Sequence, residues 1–165
     1  MNKVIFSSIA ALAIIISGCS VKKTSVSSDT TVDTSKATGS QDIESIDSRI
    51  SRLNDTLEKV YFDFDKFNIR SDMQSVVNTN ANIFNTEVSG VSITVEGNCD
   101  EWGTDEYNQA LGLKRAKAVK DALVTQGVNT DRIAIKSYGE TNPVCTDKTK
   151  ACDAQNRRAE FKLAR

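Results

Sequence analysis

The sequence predicts an α+β domain over residues 59–165, two helices laid on a mixed sheet in the order strand, helix, strand, helix, strand, strand. Three observations lead there. Apolar residues recur with period two near 60–64, 91–97, 133–139 and 158–163, and with helical period over 71–84 and 106–126. A chain of 165 residues has room for one ordinary hydrophobic core beside a leader and a linker. The residues before 42 supply nothing for that core, being an apolar leader over 1–18 and a polar stretch over 19–41.

In the leader, Lys3 precedes an apolar run over 4–16 broken only by Ser7 and Ser8, and Ser17-Gly18 stand directly before Cys19. This is the anatomy of a secretory signal. A comfortable membrane span wants about 20 apolar residues, and the chain after Cys19 is polar. Ile16-Ser17-Gly18-Cys19 resembles a bacterial lipobox, which makes the Cys19 thiol the expected lipid acceptor. One acyl chain holds a protein weakly, so firm anchoring needs more than one; the lipobox pattern implies three. Ser20 in place of Asp resembles the pattern for export to the outer membrane.

From Ser20 the chain is almost wholly Ser, Thr, Asp, Lys, Val, Ala and Gly, too poor in large apolar groups to offset the entropy of ordering. A flexible tether of roughly 22 residues is expected, about 70 to 80 Å when stretched and about 25 Å as a coil. Ile43, Ile46, Ile50, Leu53, Leu57 and Val60 then fall on one helical stripe, predicting an amphipathic helix over about 42–57, with residues 42–58 as its segment. That stripe packs on its own domain or pairs chains; fewer than three heptads rarely sustain a coiled coil alone.

Val60-Tyr61-Phe62-Asp63-Phe64 reads as the first strand, stopped by Asp65-Lys66. Ile69, Met73, Val76, Val77 and Phe84 set the first helix, with Ser71 and Asp72 available for capping. The strand over 91–97 ends in Gly97, the polar loop 98–104 leads into a long helix, and Gly127 closes that helix. Residues 140–155 read as a turn-rich loop before the last strand.

Charge narrows the function. Lys+Arg number 21 against 22 Asp+Glu, so there is no basic field to attract nucleic acid. With no His, the usual general base and commonest neutral metal ligand are missing.

Three stretches carry a resemblance: Tyr61-Phe62-Asp63-Phe64-Asp65-Lys66, then Glu96-Gly97-Asn98-Cys99-Asp100-Glu101-Trp102-Gly103-Thr104 with Tyr107-Asn108, then Asn156-Arg157-Arg158-Ala159. Together with Leu111-Gly112-Leu113-Lys114-Arg115-Ala116 they resemble the OmpA-like peptidoglycan-binding domain, and most of all its lipid-anchored members. The resemblance implies a periplasm-facing, outer-membrane lipoprotein that links membrane to cell wall, has no cofactor, and docks to TolB and the other Tol proteins. It also implies that Asp100 and Arg115 bind the diaminopimelate of the stem peptide, supported by Phe64 and Asp65, with Asn108 and Leu111 as further positions and Arg157 behind them. The sequence departs from the family wording at Asn98, where His is frequent, at Cys99, where Ala or Thr is usual, and at Trp102, where Arg is usual.

The chemistry is sensible in its own right. A free diaminopimelate end carries an ammonium and a carboxylate on one carbon, so an anion and a bidentate cation must stand close together. The helix N-terminus near Thr104 adds donors for the carboxylate. Asn108, Leu111, Arg115, Val119 and Ala122 share a helical face, which sets Arg115 beside the core stripe. An Asp100–Arg115 ion pair that merely pins loop to helix fits the same spacing. On the ligand reading, Asp100→Ala or Arg115→Ala abolishes wall binding and leaves the domain folded.

With Cys19 lipidated in an oxidising compartment, Cys145 and Cys152 bracket a turning loop and are expected to form a disulfide, leaving Cys99 a buried thiol. A metal site of Cys99, Asp100 and Glu101 lacks regular ligand spacing. The rival functions are a wall-modifying enzyme using Asp100 and Glu101, whose adjacency suits glycoside chemistry poorly, and a structural lipoprotein acting through its helix.

Overall fold

A computed structural model describes residues 44–165, and its centre is a four-stranded sheet in the order β1-β4-β2-β3. The leader over 1–18, the lipid acceptor Cys19, the tether over 19–41 and the start of the predicted first helix lie outside the described residues. The elements are α1 (Ile46–Thr56), β1 (Val60–Tyr61), a 3-10 turn (Ser71–Met73) running into α2 (Gln74–Thr86), β2 (Ser92–Asn98), α3 (Asp105–Thr125), β3 (Ile133–Gly139), α4 (Lys150–Asn156) and β4 (Arg158–Ala164).

Parallel strands need a long crossover, and α3 supplies it between β2 and β3, which pair in register from Ile93 with Ile133 to Gly97 with Ser137. β4 then inserts antiparallel between β2 and β1, setting Val95 opposite Phe161 and Gly97 opposite Ala159. Period-two alternation turns Ile93, Val95, Phe161 and Leu163 into the core with Phe84, Val119 and Leu123 from the helices. Phe84 and Phe161 meet edge to face with centroids 5.4 Å apart.

The apolar stripe of α1 packs on the sheet of its own chain, with Leu53 buried and Ile46, Ile50 and Leu57 against the core. One polar side chain shows why the helix sits there. Because β1 is only two residues long, the outer edge of β4 would be left open, and Asn54 fills it. Its Nδ2 donates to Leu163 O at 3.2 Å while its Oδ1 accepts from Leu163 N at 2.7 Å, the exchange a strand residue would make. Arg49 and Arg52 tie the same helix to Glu87 at the end of α2.

Two elements differ from their sequence expectations. The first strand stops at Tyr61; Phe62 N still donates to Arg157 O at 2.9 Å, but the chain then turns, with Asp65 at φ 56° in the left-handed region that Asp tolerates. The segment read as loop contains α4, capped by Thr149, whose hydroxyl accepts from Cys152 N at 3.2 Å. Seven residues are too few to display a helical apolar period.

Arg158 is buried in β4 and donates to Glu160 at 2.7 and 3.2 Å, while Lys59 Nζ lies 3.4 Å from the same carboxylate. Burial is the largest single influence on Glu160 and acts to raise its pKa, but Arg158 and Lys59 together outweigh it and hold the carboxyl below its ordinary value. A carboxyl with a depressed folded pKa stabilises above its unfolded pKa, and that contribution fades as pH falls through the folded one. Glu160→Gln is therefore expected to cost about 1 to 3 kcal/mol at neutral pH and much less near pH 3, read from urea melts at both. An equal cost at the two pH values would refute it.

Candidate binding site

Two turns and a helix start converge at the C-terminal end of β2. The first is the turn after β1, where Lys66 N donates to Asp63 O at 3.2 Å. The second is the loop from Cys99 to Thr104, whose Gly103 has φ 125°. Thr104 ends it by capping α3, its hydroxyl accepting from Tyr107 N at 3.2 Å. The Tyr107 hydroxyl reaches across to donate to the Asp65 carboxylate, which raises the tyrosine pKa and ties the helix start to the first turn.

Between these parts lies a cleft of about 230 Å³ lined by Phe64, Asp65, Asp100, Trp102, Gly103, Tyr107 and Leu111. Four of the expected site residues, Phe64, Asp65, Asp100 and Leu111, thus share one space. Asn108 and Arg115 are not among its lining residues; both are buried on the same face of α3. Asn108 Nδ2 donates to Asp100 O at 3.5 Å, and its Oδ1 has no partner among the described residues.

Asp100 and Arg115 do not form the ion pair that spacing allows. Asp100 is buried and accepts from Arg157 Nη1 at 2.9 Å, and Arg157 Nε donates to Phe62 O at 3.2 Å. Arg115 is 0 % exposed and gives its N–H groups to main chain instead: Nε to Lys66 O at 2.9 Å, Nη1 to Asn98 O at 2.8 Å and Nη2 to Asp63 O at 3.3 Å. Its guanidinium carbon also lies 5.2 Å from the centre of the Phe62 ring. It therefore clamps both turns of the cleft from within. Burial pulls its pKa below the ordinary guanidinium value, and no carboxylate lies within ion-pair reach of it among the described residues. Three of the five guanidinium N–H groups thus go to main-chain carbonyls, and the Cys99 thiol is a further neighbour of the fork.

A neighbouring cleft of about 340 Å³ is lined by Phe64, Trp102, Lys150, Asp153 and Arg157. Trp102 is fixed over it by Nε1–H donating to Asp153 Oδ2 at 3.1 Å. Glu101 in the same loop accepts from Lys148. The segment bearing these groups is held by a Cys145–Cys152 disulfide and by Asn156, whose Oδ1 accepts from Val144 N at 2.9 Å and whose Nδ2 donates to Cys145 O at 2.8 Å. Sequence reasoning missed Lys150 and Asp153, because both sit in the helix it took for loop. Cys99 is a buried free thiol whose pKa burial pushes up to about 11, so it is protonated and a poor nucleophile. The arrangement is suited to holding a small group with charges of both signs.

The OmpA family model matches residues 61–157. The chain is 41% identical over 107 residues to a peptidoglycan-associated lipoprotein of Mesorhizobium japonicum, a match covering 65% of this chain and 63% of that protein's length. Among solved structures, the peptidoglycan-associated lipoprotein of Burkholderia pseudomallei superposes with TM-score 0.61 at 39% identity, covering 64% of this chain and 89% of that one. The C-terminal domain of Helicobacter pylori MotB gives TM-score 0.61 at 26% identity, covering 66% and 84%. The family match takes in more than half of the chain, including β2, α3, β3 and every residue lining both clefts, and the chain belongs to the OmpA family.

Proposed function

We propose that this protein is an outer-membrane lipoprotein, anchored through Cys19, that binds peptidoglycan without a covalent bond and catalyses nothing. The name of its relatives supports the wall as ligand, and the resemblance extends the proposal to docking with TolB of the Tol system. The observation that carries the reading is Arg115, a wholly buried guanidinium with no carboxylate within ion-pair distance among the described residues, Asp100 and Asp65 acting on it only from farther off. Buried charges are ordinarily paired, and an incoming carboxylate would complete this one. The free end of diaminopimelate brings that carboxylate with an ammonium on the same carbon, and Asp100 and Asp65 on the cleft wall suit the ammonium. Phe64 and Leu111 cover the aliphatic part, and Asn108 holds the Asp100 loop.

The test is co-sedimentation of the full chain with purified sacculi. Wild type is expected to pellet and to be displaced by free meso-diaminopimelate, and Asp100→Ala to weaken capture about tenfold or more. Capture unaffected by diaminopimelate and by Asp100→Ala would refute the site. Release of soluble muropeptides would replace anchor with enzyme.

A further inference from the structure

We propose that the cleft between Phe64 and Trp102 is a second subsite, one that takes a carboxylate on the peptide segment flanking the tip held in the first; it rests on the function proposed above. Phe64 and Trp102 line both clefts, so a ligand leaving the first passes between them into the second. They are 60% and 59% exposed, unusually open for large aromatics in a domain whose Phe62 and Phe84 are buried. Nor are these walls loose: Asp153 holds the Trp102 indole, and Asp100 with Phe62 O holds Arg157.

The charges of the two clefts are sorted by sign. The first has carboxylates on its wall, Asp65 and Asp100, whereas the second has Arg157 and Lys150 with only Asp153 against them. Asp153 already accepts from Trp102, and Lys150 has no ion-pair or hydrogen-bond partner among the described residues. An enclosure with two aromatic walls and a spare ammonium fits an anion on an apolar body, since aromatic walls displace the water that would screen the pair. In a stem peptide two such carboxylates lie within one residue of diaminopimelate: the α-carboxylate of a glutamate joined through its γ-carbon, and the terminal carboxylate of a following alanine.

Titration calorimetry of the full chain separates the cases. The ligands are meso-diaminopimelate, the tripeptide ending in it, the same tripeptide amidated at the glutamate α-carboxylate, and the tetrapeptide with terminal alanine. Lys150→Glu is the variant; its side chain is exposed and an acidic residue is welcome in the first turn of α4, so folding is preserved. It is expected to bind diaminopimelate like wild type and the carboxylate-bearing peptides about tenfold more weakly, with Lys150→Arg close to wild type. If amidation of the tripeptide removes the difference, the glutamate is the source; if only the tetrapeptide shows it, the alanine is. Equal binding of every peptide by wild type and Lys150→Glu would overturn the subsite, as would equal weakening of diaminopimelate itself. Wild type that binds no diaminopimelate would remove the first site, a failure visible apart from the variant.

Discussion

Gly97→Ala is expected to destabilise the domain by about 3 kcal/mol or more, the cost of forcing backbone atoms apart in a packed core. A Cβ at position 97 would lie 1.9 Å from Gly112 O and 2.7 Å from Gly112 C. Main chain meets main chain there, so no side chain can swing aside. Relief requires lifting α3 off β2, and these are the elements that carry Arg115 and the Asp100 loop. Against a usual total of about 5 to 15 kcal/mol, such a loss removes much of the folded population at body temperature. Gly112→Ala would meet Ser137 Oγ at 2.3 Å and Gly97 O at 2.9 Å, and is expected to follow closely. Gly90, with nothing within 4 Å of its virtual Cβ, is the control, and its Ala variant should stay within about 0.5 kcal/mol of wild type. Urea melts followed by circular dichroism decide it. A Gly97→Ala midpoint indistinguishable from that of Gly90→Ala would show that the helix and strand are not in the contact described.

The contrast between those glycines also explains which features a sequence can display. Period two over 92–98, 133–139 and 158–164 and period 3.6 over 105–125 come from burial on one face, a property each segment carries locally, and the elements lie within a residue or two of their sequence bounds. The closeness of Gly97 to Gly112 has no local signature. The same holds at the site. The helical face shared by Asn108, Leu111 and Arg115 is legible from spacing, and it does place all three side chains inward. That the Arg115 fork lands on the carbonyls of Asp63 and Lys66, 52 and 49 residues away, depends on how a turn folds over a distant helix. Trp102 meets Asp153 at a separation of 51 residues for the same reason. Lys150 was invisible because polar composition and Pro143 make 140–155 look like turns, whereas one short capped helix brings the lysine to the cleft.

Arg115→Lys is expected to abolish capture by sacculi at working concentrations, about a hundredfold loss or roughly 2.7 kcal/mol, while the domain still folds. Lysine keeps the positive charge but replaces the planar fork of five N–H groups with a single ammonium. That ammonium cannot serve carbonyls at 2.8, 2.9 and 3.3 Å in three directions and still meet a carboxylate in bidentate fashion. The fold should lose about 1 to 3 kcal/mol from the weaker clamp. Arg115→Ala is the poorer experiment. Removing the guanidinium strands three acceptors on the two turns that form the cleft, the Asn98 carbonyl among them buried, so lost binding would report lost structure as readily as a lost contact. Asp100→Asn complements it from the other side, since the amide oxygen can still accept from Arg157 while the charge facing an ammonium is gone. If Arg115 served only to clamp the turns, Arg115→Lys would lower the melting temperature and leave sacculus affinity, measured well below that temperature, unchanged. A ligand contact predicts the reverse weighting, a modest shift in melting and a large loss of affinity, and only that pattern is compatible with a buried guanidinium kept for an incoming carboxylate.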